Sequence, residues 1–396
     1  MRIEYFLGID FGCRYTCVSR TPGYNGEIIS RVVLQKNSYV KNTMVRSAIC
    51  QNEDGEWNLL CPNKCDFVKE YYGLKEPIAE LRKDAPESFE ALRVFGKLIF
   101  SAILTNDSDL IYDEKTGESN FIICIAYPSE WKRENPKANM EYLNFFKQEC
   151  GIKPAMMCIT ESDAVPYSNI KYFTNDTAFV IDLGSTKIDF TTYKNSKCIV
   201  GGCWSYNHGI NKIADIILAY GLENAQNKKN LKIVKELRKQ KGVNGNLGTA
   251  LSYFVIKSIE DFFDYQEPYY ELFWCMRDLV PGLKYPEAAA TAFEVCLEKE
   301  EFDNVISDYI NQLELFIKNA AKQLDDNVMV SPKYVILSGG AGMMDFVKDL
   351  ARRYFPNAKI DYGYDESGRV LMGSYGAANF IKHNMVLIDF PPMLMP

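Results

Sequence analysis

Two short segments place an aspartate at a tight turn that also contains glycine. Asp10 and Gly12 follow the apolar run that starts at Phe6, and Asp182 and Gly184 follow a second apolar run. β-Type sequence resumes after each turn, which predicts two β-hairpins. Aspartate and glycine are common in turns, so one such hairpin would be a weak signal. Two of them facing each other predict a site in which carboxylates and backbone N–H groups hold a polyphosphate and its Mg²⁺.

A glycine turn later in the chain adds a third signal of the same kind. Residues 333–337 predict a strand, Gly339 and Gly340 a turn, and 343–355 a helix. N–H groups at a helix N-terminus attract an anion, and glycine allows close packing against a flat ligand such as a nucleoside. Alone, the segment is equally a plain strand-to-helix connection. Together with the two hairpins, it favours a nucleotide site.

The composition is that of a globular protein with an acidic balance. The 396 residues are 47% hydrophobic and 24% charged, and the net charge is −7. This charge argues against nucleic acid or an anionic membrane as the main partner. A basic cluster over 228–241 fits a solvated helix face. We expect neither a signal peptide nor a span of about 20 apolar residues, and therefore a cytoplasmic location.

Cysteine and histidine usage argues against two other kinds of site. The twelve cysteines include no Cys-x-x-Cys pair, and the chain has only two histidines, His208 and His383. We therefore expect buried thiols rather than a structural zinc site. The shortage of histidine also argues against Ser-His-Asp or Cys-His catalysis.

The order of predicted elements indicates an α/β protein with two domains or lobes around a cleft. Strands followed by helices occur twice along the chain. The predicted strands are 5–10, 15–20, 28–34, 45–50, 121–127, 156–160, the hairpin 178–193, 198–203 and 333–337. The predicted helices are 87–105, 134–150, 209–220, 230–241, 249–264, 287–326, 343–355 and 373–382.

Four motifs resemble the nucleotide-binding domain of the seventy-kilodalton heat-shock chaperones, within the actin, hexokinase and heat-shock ATPase superfamily. Gly8-Ile9-Asp10-Phe11-Gly12 resembles the first phosphate loop and Ile181-Asp182-Leu183-Gly184-Ser185-Thr186 the second. Thr160-Glu161-Ser162-Asp163-Ala164-Val165-Pro166-Tyr167 resembles the first connecting segment, and Ile336-Leu337-Ser338-Gly339-Gly340-Ala341 the adenosine motif. The motifs follow the family's order and spacing over nearly the whole chain, without the peptide-binding domain.

The resemblance implies a two-lobe actin-like ATPase fold, which is a duplicated ribonuclease H-like βββαβα core with helical insertions. Lobe I would comprise residues 1–172, with an insertion at about 36–110. Lobe II would comprise 173–384, with a helical insertion at about 221–326. Residues 385–396 would form a tail that resembles the family's interdomain linker.

The resemblance also implies a role for each site residue, with ATP or ADP and Mg²⁺ as cofactors. Asp10 and Asp182 would hold the hydrated Mg²⁺, and Glu161 would orient the attacking water. Lys64 is the candidate for the lysine near the γ-phosphate, with a plain surface position as the alternative. Such catalysis rests on positioning and charge neutralisation. The nucleotide would contact Gly12, Cys13, Arg14, Gly184, Ser185, Thr186, Gly339, Gly340 and Ala341.

The chain also departs from the family pattern at several of these positions. Cys13 and Arg14 stand where the family has small hydroxyl residues, and Lys187 stands where it has threonine. Ala341 and Met343 replace a serine and an arginine. Metal-side carboxylates are kept better than adenosine contacts, so hydrolysis is expected to be slow or lost.

We therefore expect an ATP-binding, chaperone-like protein, a slow Mg²⁺-dependent ATPase whose lobe closure gates a protein partner. Three alternatives stay open. The departures Cys13, Arg14 and Lys187 favour a pseudo-ATPase interaction module. An actin-like filament protein would need repeating head-to-tail contacts. A small-molecule kinase would need a carboxylate base, for which Asp189 or Glu161 could serve.

Overall fold

The computed structural model describes most of the chain, and the strands and helices below are numbered in chain order within that part. The described residues are 1–12, 15–22, 30–36, 41–52, 54–59, 67–72, 77–168, 176–194, 197–224, 255–263, 265–275, 292–361 and 368–387. The contacts divide the chain into two compact units. The first unit comprises Met1–Ser47, Lys75–Asn175 and Val370–Pro396, and the second comprises Ala48–Leu74 and Asp176–Arg369.

The strands are β1 (Tyr5–Phe11), β2 (Tyr15–Pro22), β3 (Ser30–Arg31), β4 (Gln35–Lys36), β5 (Lys41–Asn42), β6 (Met44–Arg46), β7 (Ala48–Asn52), β8 (Trp57–Leu59), β9 (Phe67–Tyr72), β10 (Phe121–Tyr127), β11 (Met156–Thr160), β12 (Thr177–Leu183), β13 (Ile188–Lys194), β14 (Lys197–Tyr206), β15 (Tyr269–Cys275), β16 (Ala292–Glu298), β17 (Tyr334–Ser338) and β18 (Lys359–Asp361).

The helices are α1 (Ile78–Asp84), α2 (Pro86–Asn106), α3 (Ser129–Glu134), α4 (Ala138–Asn144), α5 (Glu161–Ala164), α6 (Asn211–Asn224), α7 (255–263), α8 (Lys299–Val305), α9 (Ser307–Gln323), α10 (Asp345–Tyr354) and α11 (Gly368–Leu387). Short 3-10 turns cover Val165–Ser168 and Gly340–Met343, and π-helical turns cover Phe145–Glu149 and Leu324–Val328.

Each unit contains one large mixed sheet, and the two sheets have the same strand order. The first sheet runs β11-β10-β1-β2-β3, with β6 also paired to β2. The second, written so that equivalent strands take the same place, runs β18-β17-β12-β13-β14. In both, the first hairpin is antiparallel, and the strand that opens it pairs in parallel with a strand from much later in the unit. The described part of the chain is therefore α/β, with one three-stranded antiparallel arrangement extended by two parallel strands in each unit.

The first sheet buries apolar side chains on both of its faces. On one face, Phe6 and Ile159 pack with Ala377 and Ile381 of α11. On the other, the ring of Phe11 lies 6.1 Å from that of Phe95 on α2 and 4.9 Å from that of Phe146. Two-sided burial explains why β10 is apolar at every position and wholly buried. It also shows that α2 belongs to the core of the first unit, because its apolar stripe covers a face of the sheet.

The second sheet packs against helices that lie between its strands in the sequence. Phe179, Ile181 and Leu183 on β12 share a core with α6 and α10. The buried stripe of α9 joins the same core through Tyr309 and Leu313. These helices enclose one face of the strand that carries Asp182 and so fix the position of the hairpin at its end.

Helix α11 approaches β1 unusually closely, because small residues face each other there. A Cβ atom added to Gly8 would lie 1.9 Å from the Ser374 carbonyl oxygen, and one added to Gly376 would lie 1.8 Å from that of Ala164. The buried hydroxyls of Ser19 and Ser374 are hydrogen-bonded at 2.7 Å. The contact with α11 requires glycine at position 8 of β1, and the contact of α11 with α5 requires glycine at position 376.

Most predicted elements are confirmed, and four are wrong. The strand predicted over 28–34 is reduced to the two residues of β3 among its described residues, since 32–34 form no strand. The predicted helix over 287–326 contains β16, and β15 precedes it unpredicted. In both strands, buried residues such as Tyr270 and Leu272 are separated by exposed ones. This period of two residues is that of a strand. The predicted helix 134–150 begins only at Ala138, because Pro136 cannot continue the hydrogen-bond pattern of α3. The strand predicted over 45–50 divides into β6 and β7, which belong to different sheets. The helix predicted over 230–241 lies outside the described residues.

The units also differ from the division expected along the sequence. The expected lobe II, 173–384, includes α11, but α11 completes the core of the first unit. The expected insertion at about 36–110 divides, because β7, β8 and β9 group with the second unit while α2 lies in the core of the first. The expected insertion at about 221–326 includes α8 and α9, which are core helices of the second unit. The tail expected at 385–396 begins inside α11, and 388–396 lie outside the described residues.

Candidate functional site

The two predicted hairpins have the same register and the same loop length. In the first, Asp10 pairs with Cys17 and Phe11 with Thr16, so the loop spans residues 12–15. In the second, Asp182 pairs with Asp189 and Leu183 with Ile188, so the loop spans 184–187. The strands β1 and β12 also share one pattern of burial, with the aspartate half-buried between buried neighbours. Asp10 and Asp182 therefore occupy equivalent positions in the two sheets.

Ser47, which directly follows β6, holds the first loop in place. Ser47 Oγ donates a hydrogen bond of 2.5 Å to the Gly12 carbonyl oxygen and lies 2.9 Å from Thr16 Oγ1. A Cβ atom at Gly12 would lie 2.6 Å from the Tyr15 carbonyl oxygen. Glycine is therefore required at this position by the shape of the turn, independently of any ligand.

Backbone hydrogen bonds hold the second loop in place. Gly184 N–H donates to the Lys187 carbonyl oxygen at 2.9 Å, which closes the turn. Three consecutive N–H groups at the start of α6 then donate to the carbonyl groups of the loop. The pairs are Gly209 to Thr186 at 3.0 Å, Ile210 to Gly184 at 3.1 Å and Asn211 to Ser185 at 2.9 Å. A helix N-terminus thus fixes the loop that carries Gly184, Ser185 and Thr186.

Asp10 lies where its strand meets α11. A Cβ atom at Gly373 would lie 2.3 Å from Asp10 Oδ2, so the carboxylate rests directly on glycine backbone. Burial raises the pKa of the opposing thiol of Cys17 well above its usual value, and the negative charge of Asp10 raises it further. The carboxylate of Asp10 therefore exerts its field on the buried thiol of Cys17.

Asp182 lies beside the glycine turn that follows β17. It pairs with Ser338, and Gly339 comes next with a φ of 79°, in the left-handed region. A Cβ atom at Gly339 would lie 2.3 Å from the Leu183 carbonyl oxygen and 3.0 Å from Asp182 Oδ1. Only glycine meets both conditions. The structure therefore brings the second hairpin and the glycine turn together, as the sequence predicts.

Glu161 reaches the same sheet edge as Asp10 within the first unit. It is half-buried and opens α5 immediately after β11, where Thr160 Oγ1 accepts a hydrogen bond of 3.1 Å from Asp163 N–H. Asp10 is level with Ala126 on β10, which is level with Ile159 on β11. Two strand spacings, about 10 Å, separate the backbones that carry Asp10 and Glu161. Ligands of α/β sheets bind at this carboxyl edge of parallel strands.

The other predicted site residues have different outcomes. Cys13, Arg14 and Lys64 lie outside the described residues. Ser185 is half-buried and Thr186 is exposed on the second loop. Ala341 is fully buried in the core of the second unit, so the structure does not expose it to a ligand.

Three further residues at these sites do not belong to any of the predicted site motifs. Ser47 holds the first loop, but it lies 35 residues from Gly12 and has no motif around it. Gly373 supports Asp10 from the opposite end of the chain. Glu260 on α7 approaches the glycine turn, because a Cβ atom at Gly340 would lie 2.8 Å from Glu260 Oε1.

The aspartates of the two hairpins supply the kind of oxygen ligand that suits Mg²⁺. Asp10 lies in the first unit, and Asp182 with its cross-strand partner Asp189 lies in the second. Within the described ranges, no group of three or more His, Cys, Asp or Glu is placed to hold a metal ion. Mg²⁺ bound together with a nucleotide uses only one or two carboxylates, and phosphate and water oxygens supply the rest.

No model of a known protein family matches the chain, and a search of curated proteins finds none that matches it. Of the helices that the structure describes, none has the length and apolar character needed to cross a bilayer. The functional assignment therefore rests on the paired hairpins, the glycine turn and the common strand order of the two sheets.

Proposed function

We propose that this chain is a nucleotide-binding protein of the actin-like ATPase fold, related to the nucleotide-binding domain of the seventy-kilodalton heat-shock chaperones. The observation that carries the proposal is the repeated hairpin. In two sheets of the same strand order, the equivalent strand has an aspartate as its next-to-last residue and is followed by a loop of four residues. The glycine turn after β17, level with Asp182, supports it. A duplicated unit of this kind is what the ribonuclease H-like core of that superfamily would supply.

The proposed ligand is Mg·ATP, with roles for residues of each unit. Asp10 and Asp182 would hold the hydrated Mg²⁺, which neutralises the charge of the phosphate groups when bound. Backbone around Gly12 and Gly184 would contact the phosphates, and Gly339 with Gly340 would contact the nucleoside. Gly339 and Gly373 leave free the space beside each carboxylate that a Cβ atom would fill. Preformed donors and carboxylates of this kind act by positioning, which suits phosphoryl transfer.

The proposed reaction is slow hydrolysis, with Glu161 as the residue that orients water. Its position at the carboxyl end of β11, on the edge that carries Asp10, supports this role. Lobe closure on the nucleotide would then gate a protein partner. Phosphoryl transfer to water would need few side chains. The loss of the family's hydroxyl residues would nevertheless slow hydrolysis more than it weakens nucleotide binding.

The deciding experiment is a titration of ATP with magnesium or with EDTA, followed by thermal unfolding. Ligand at 100 times its Kd should stabilise the chain by about 2.7 kcal/mol, and EDTA should remove the effect. Asp10→Asn and Asp182→Asn should each weaken binding at least about tenfold, or about 1.4 kcal/mol. Asp54→Asn, at an exposed turn, is the matched control and should bind as the wild type does. An unchanged unfolding temperature with all nucleotides would refute the proposal.

Phosphate release separates the alternatives. Glu161→Gln should lower the rate of phosphate release while ATP binding persists. Binding without release in the wild type would indicate a pseudo-ATPase interaction module. Release only with an added hydroxyl substrate would indicate a kinase, and ATP-dependent pelleting would indicate a filament protein.

A further inference from the structure

The edge strand of the second sheet contains a wide bulge with a cysteine at each end. On β14, Cys198 pairs with Tyr193 and Cys203 pairs with Thr191. One residue of β13, Thr192, therefore faces the four residues 199–202 of β14. The bulge removes the intervening residues from the ladder, so the two cysteines occupy neighbouring positions on one side of the strand.

The sulfur atoms of these two cysteines lie 3.3 Å apart. A disulfide bond is about 2.05 Å long, so bond formation requires an approach of only about 1.3 Å. Cys198 is exposed and Cys203 is half-buried. The pair is therefore close enough for bonding, and one of its members is open to a reagent from solvent.

The rest of the strand holds this spacing. Thr192 Oγ1 donates a hydrogen bond of 2.8 Å to the Gly202 carbonyl oxygen across the bulge. A Cβ atom at Gly202 would lie 2.6 Å from that hydroxyl oxygen, so glycine is needed there. Downstream, the ring of Tyr206 stacks on that of Phe316 at 4.2 Å. Strand β14 is thus anchored on the far side of Cys203, and the bulge is closed over Thr192.

The other described cysteines have different surroundings. Cys17, Cys50, Cys124 and Cys150 are buried. Burial raises the pKa of Cys150 to about 12 and does the same for the half-buried Cys158, which keeps both as unreactive thiols. Cys296 is exposed on β16 opposite Glu271 and offers a matched single thiol for comparison.

We propose that Cys198 and Cys203 form a redox-active dithiol site that takes small hydroperoxides as its oxidant. The exposed Cys198 sulfur attacks the peroxide, the O–O bond breaks, and a sulfenic acid and one molecule of water or alcohol form. The Cys203 sulfur then attacks the Cys198 sulfur, the S–O bond breaks, water leaves, and the disulfide bond forms. The two sulfurs together lose the two electrons that the peroxide gains. A small dithiol reverses the change.

This site is independent of the nucleotide proposal, and its test does not use ATP. The reduced full-length wild type is treated with hydrogen peroxide, its remaining thiols are blocked with N-ethylmaleimide, and its peptides are mapped by mass spectrometry. We expect the segment that contains both cysteines to lose two hydrogens and to carry no maleimide. Dithiothreitol should restore both thiols. Because the wild type carries this result, it does not depend on the folding of any variant.

Two variants and one control sharpen the result. Cys203→Ser should stop at the sulfenic acid of Cys198, which a dimedone probe traps. Cys198→Ser should leave Cys203 open to maleimide after the peroxide treatment. Cys296→Ser should form the Cys198–Cys203 bond as the wild type does. Maleimide on both cysteines after Cys296 has been oxidised would overturn the proposal. A bond from Cys198 to a second chain, or direct passage to the sulfinic acid, would also overturn it.

Discussion

In the first sheet, one hydroxyl group, that of Ser47, holds the loop after Asp10. In the second, three backbone N–H groups at the start of α6 hold the loop after Asp182. Both loops have the same length and register, yet they depend on different parts of the chain. Substitution of Ser47 would remove its hydrogen bond to the first loop, whereas the backbone hydrogen bonds to the second loop can persist when the side chains of α6 change. Among the contacts of the described residues, the one that holds the first loop is therefore the more sensitive to mutation.

The two strands that carry the aspartates also differ in how closely a helix approaches their backbone. Gly8 on β1 is equivalent to Val180 on β12, since each lies two residues before its aspartate. Helix α11 touches the backbone of Gly8, whereas Val180 is fully buried with its side chain in place. The first sheet thus gains a close helix contact at the cost of a side chain, and the second sheet keeps the side chain.

The largest expected effect comes from giving the first sheet the residue of the second. Gly8→Val should destabilise the chain by about 3 kcal/mol or more, because its side chain would collide with the backbone at Ser374 and Ala378. Urea unfolding followed by circular dichroism measures the loss. Gly201→Ala is the control, since a Cβ atom there would meet nothing within 4 Å, and it should change stability by no more than about 0.5 kcal/mol. Equal effects of the two substitutions would show that α11 does not press on β1.

A smaller effect is expected from the glycine of each loop. Gly12→Ala should cost about 1–3 kcal/mol, because its Cβ atom would lie 2.6 Å from the Tyr15 carbonyl oxygen. Gly184→Ala should cost no more than about 0.5 kcal/mol, because the nearest atom would be 3.5 Å away. The same unfolding assay compares the two variants. If Gly184→Ala proves the more harmful, the two turns do not differ in the way described.

The smallest effect concerns the two histidines, one in each unit. Burial lowers the pKa of His208 and of His383, with Lys212 and Lys382 lowering them further. Their stabilisation is complete above the unfolded pKa of about 6.5 and is lost as the pH falls from there toward the folded pKa. His208 Nε2–H also donates to the Tyr309 carbonyl oxygen at 3.0 Å. His208→Gln can keep that donor, so the fall in unfolding free energy between pH 7 and pH 5 should be shallower than in the wild type.

A pH dependence as steep in His208→Gln as in the wild type would assign the effect to His383 or to carboxyl groups. His383→Gln is the matched variant for the first unit. The comparison of the two slopes then shows which histidine contributes more to the loss of stability on acidification.

The sequence predicts the local features well, because they depend on neighbouring residues. Strands β1, β2, β10, β11, β12 and β17 lie close to their predicted bounds, and so does α2. The Asp-x-Gly hairpins carry their own turn chemistry. The alternation in β15 and β16 is also present in the sequence, but the helix predicted over 287–326 includes β16, and β15 lies outside every predicted element. Pro136 likewise marks the break between α3 and α4 in the sequence.

Long-range contacts account for what the sequence does not show. Nothing near Ser47 indicates that it holds the loop at Gly12. Nothing near Gly8 indicates a helix that starts 360 residues later, at Gly368. The Cys198–Cys203 pair is hidden in a five-residue separation that ordinary strand geometry would keep apart, and only the bulge brings the sulfurs together. Such features depend on tertiary packing, which single-sequence periodicity cannot report.

The contact between β1 and α11 has a consequence for biosynthesis. Strand β1 leaves the ribosome about 360 residues before α11, and one of its faces is covered only when α11 packs on it. Until α11 emerges, Phe6 and Ile122 remain open to solvent and to chaperones. The core of the second unit, apart from the segment 48–74, comes from one continuous stretch and needs no such delay. Completion of the first unit's core is thus paced by the synthesis of α11.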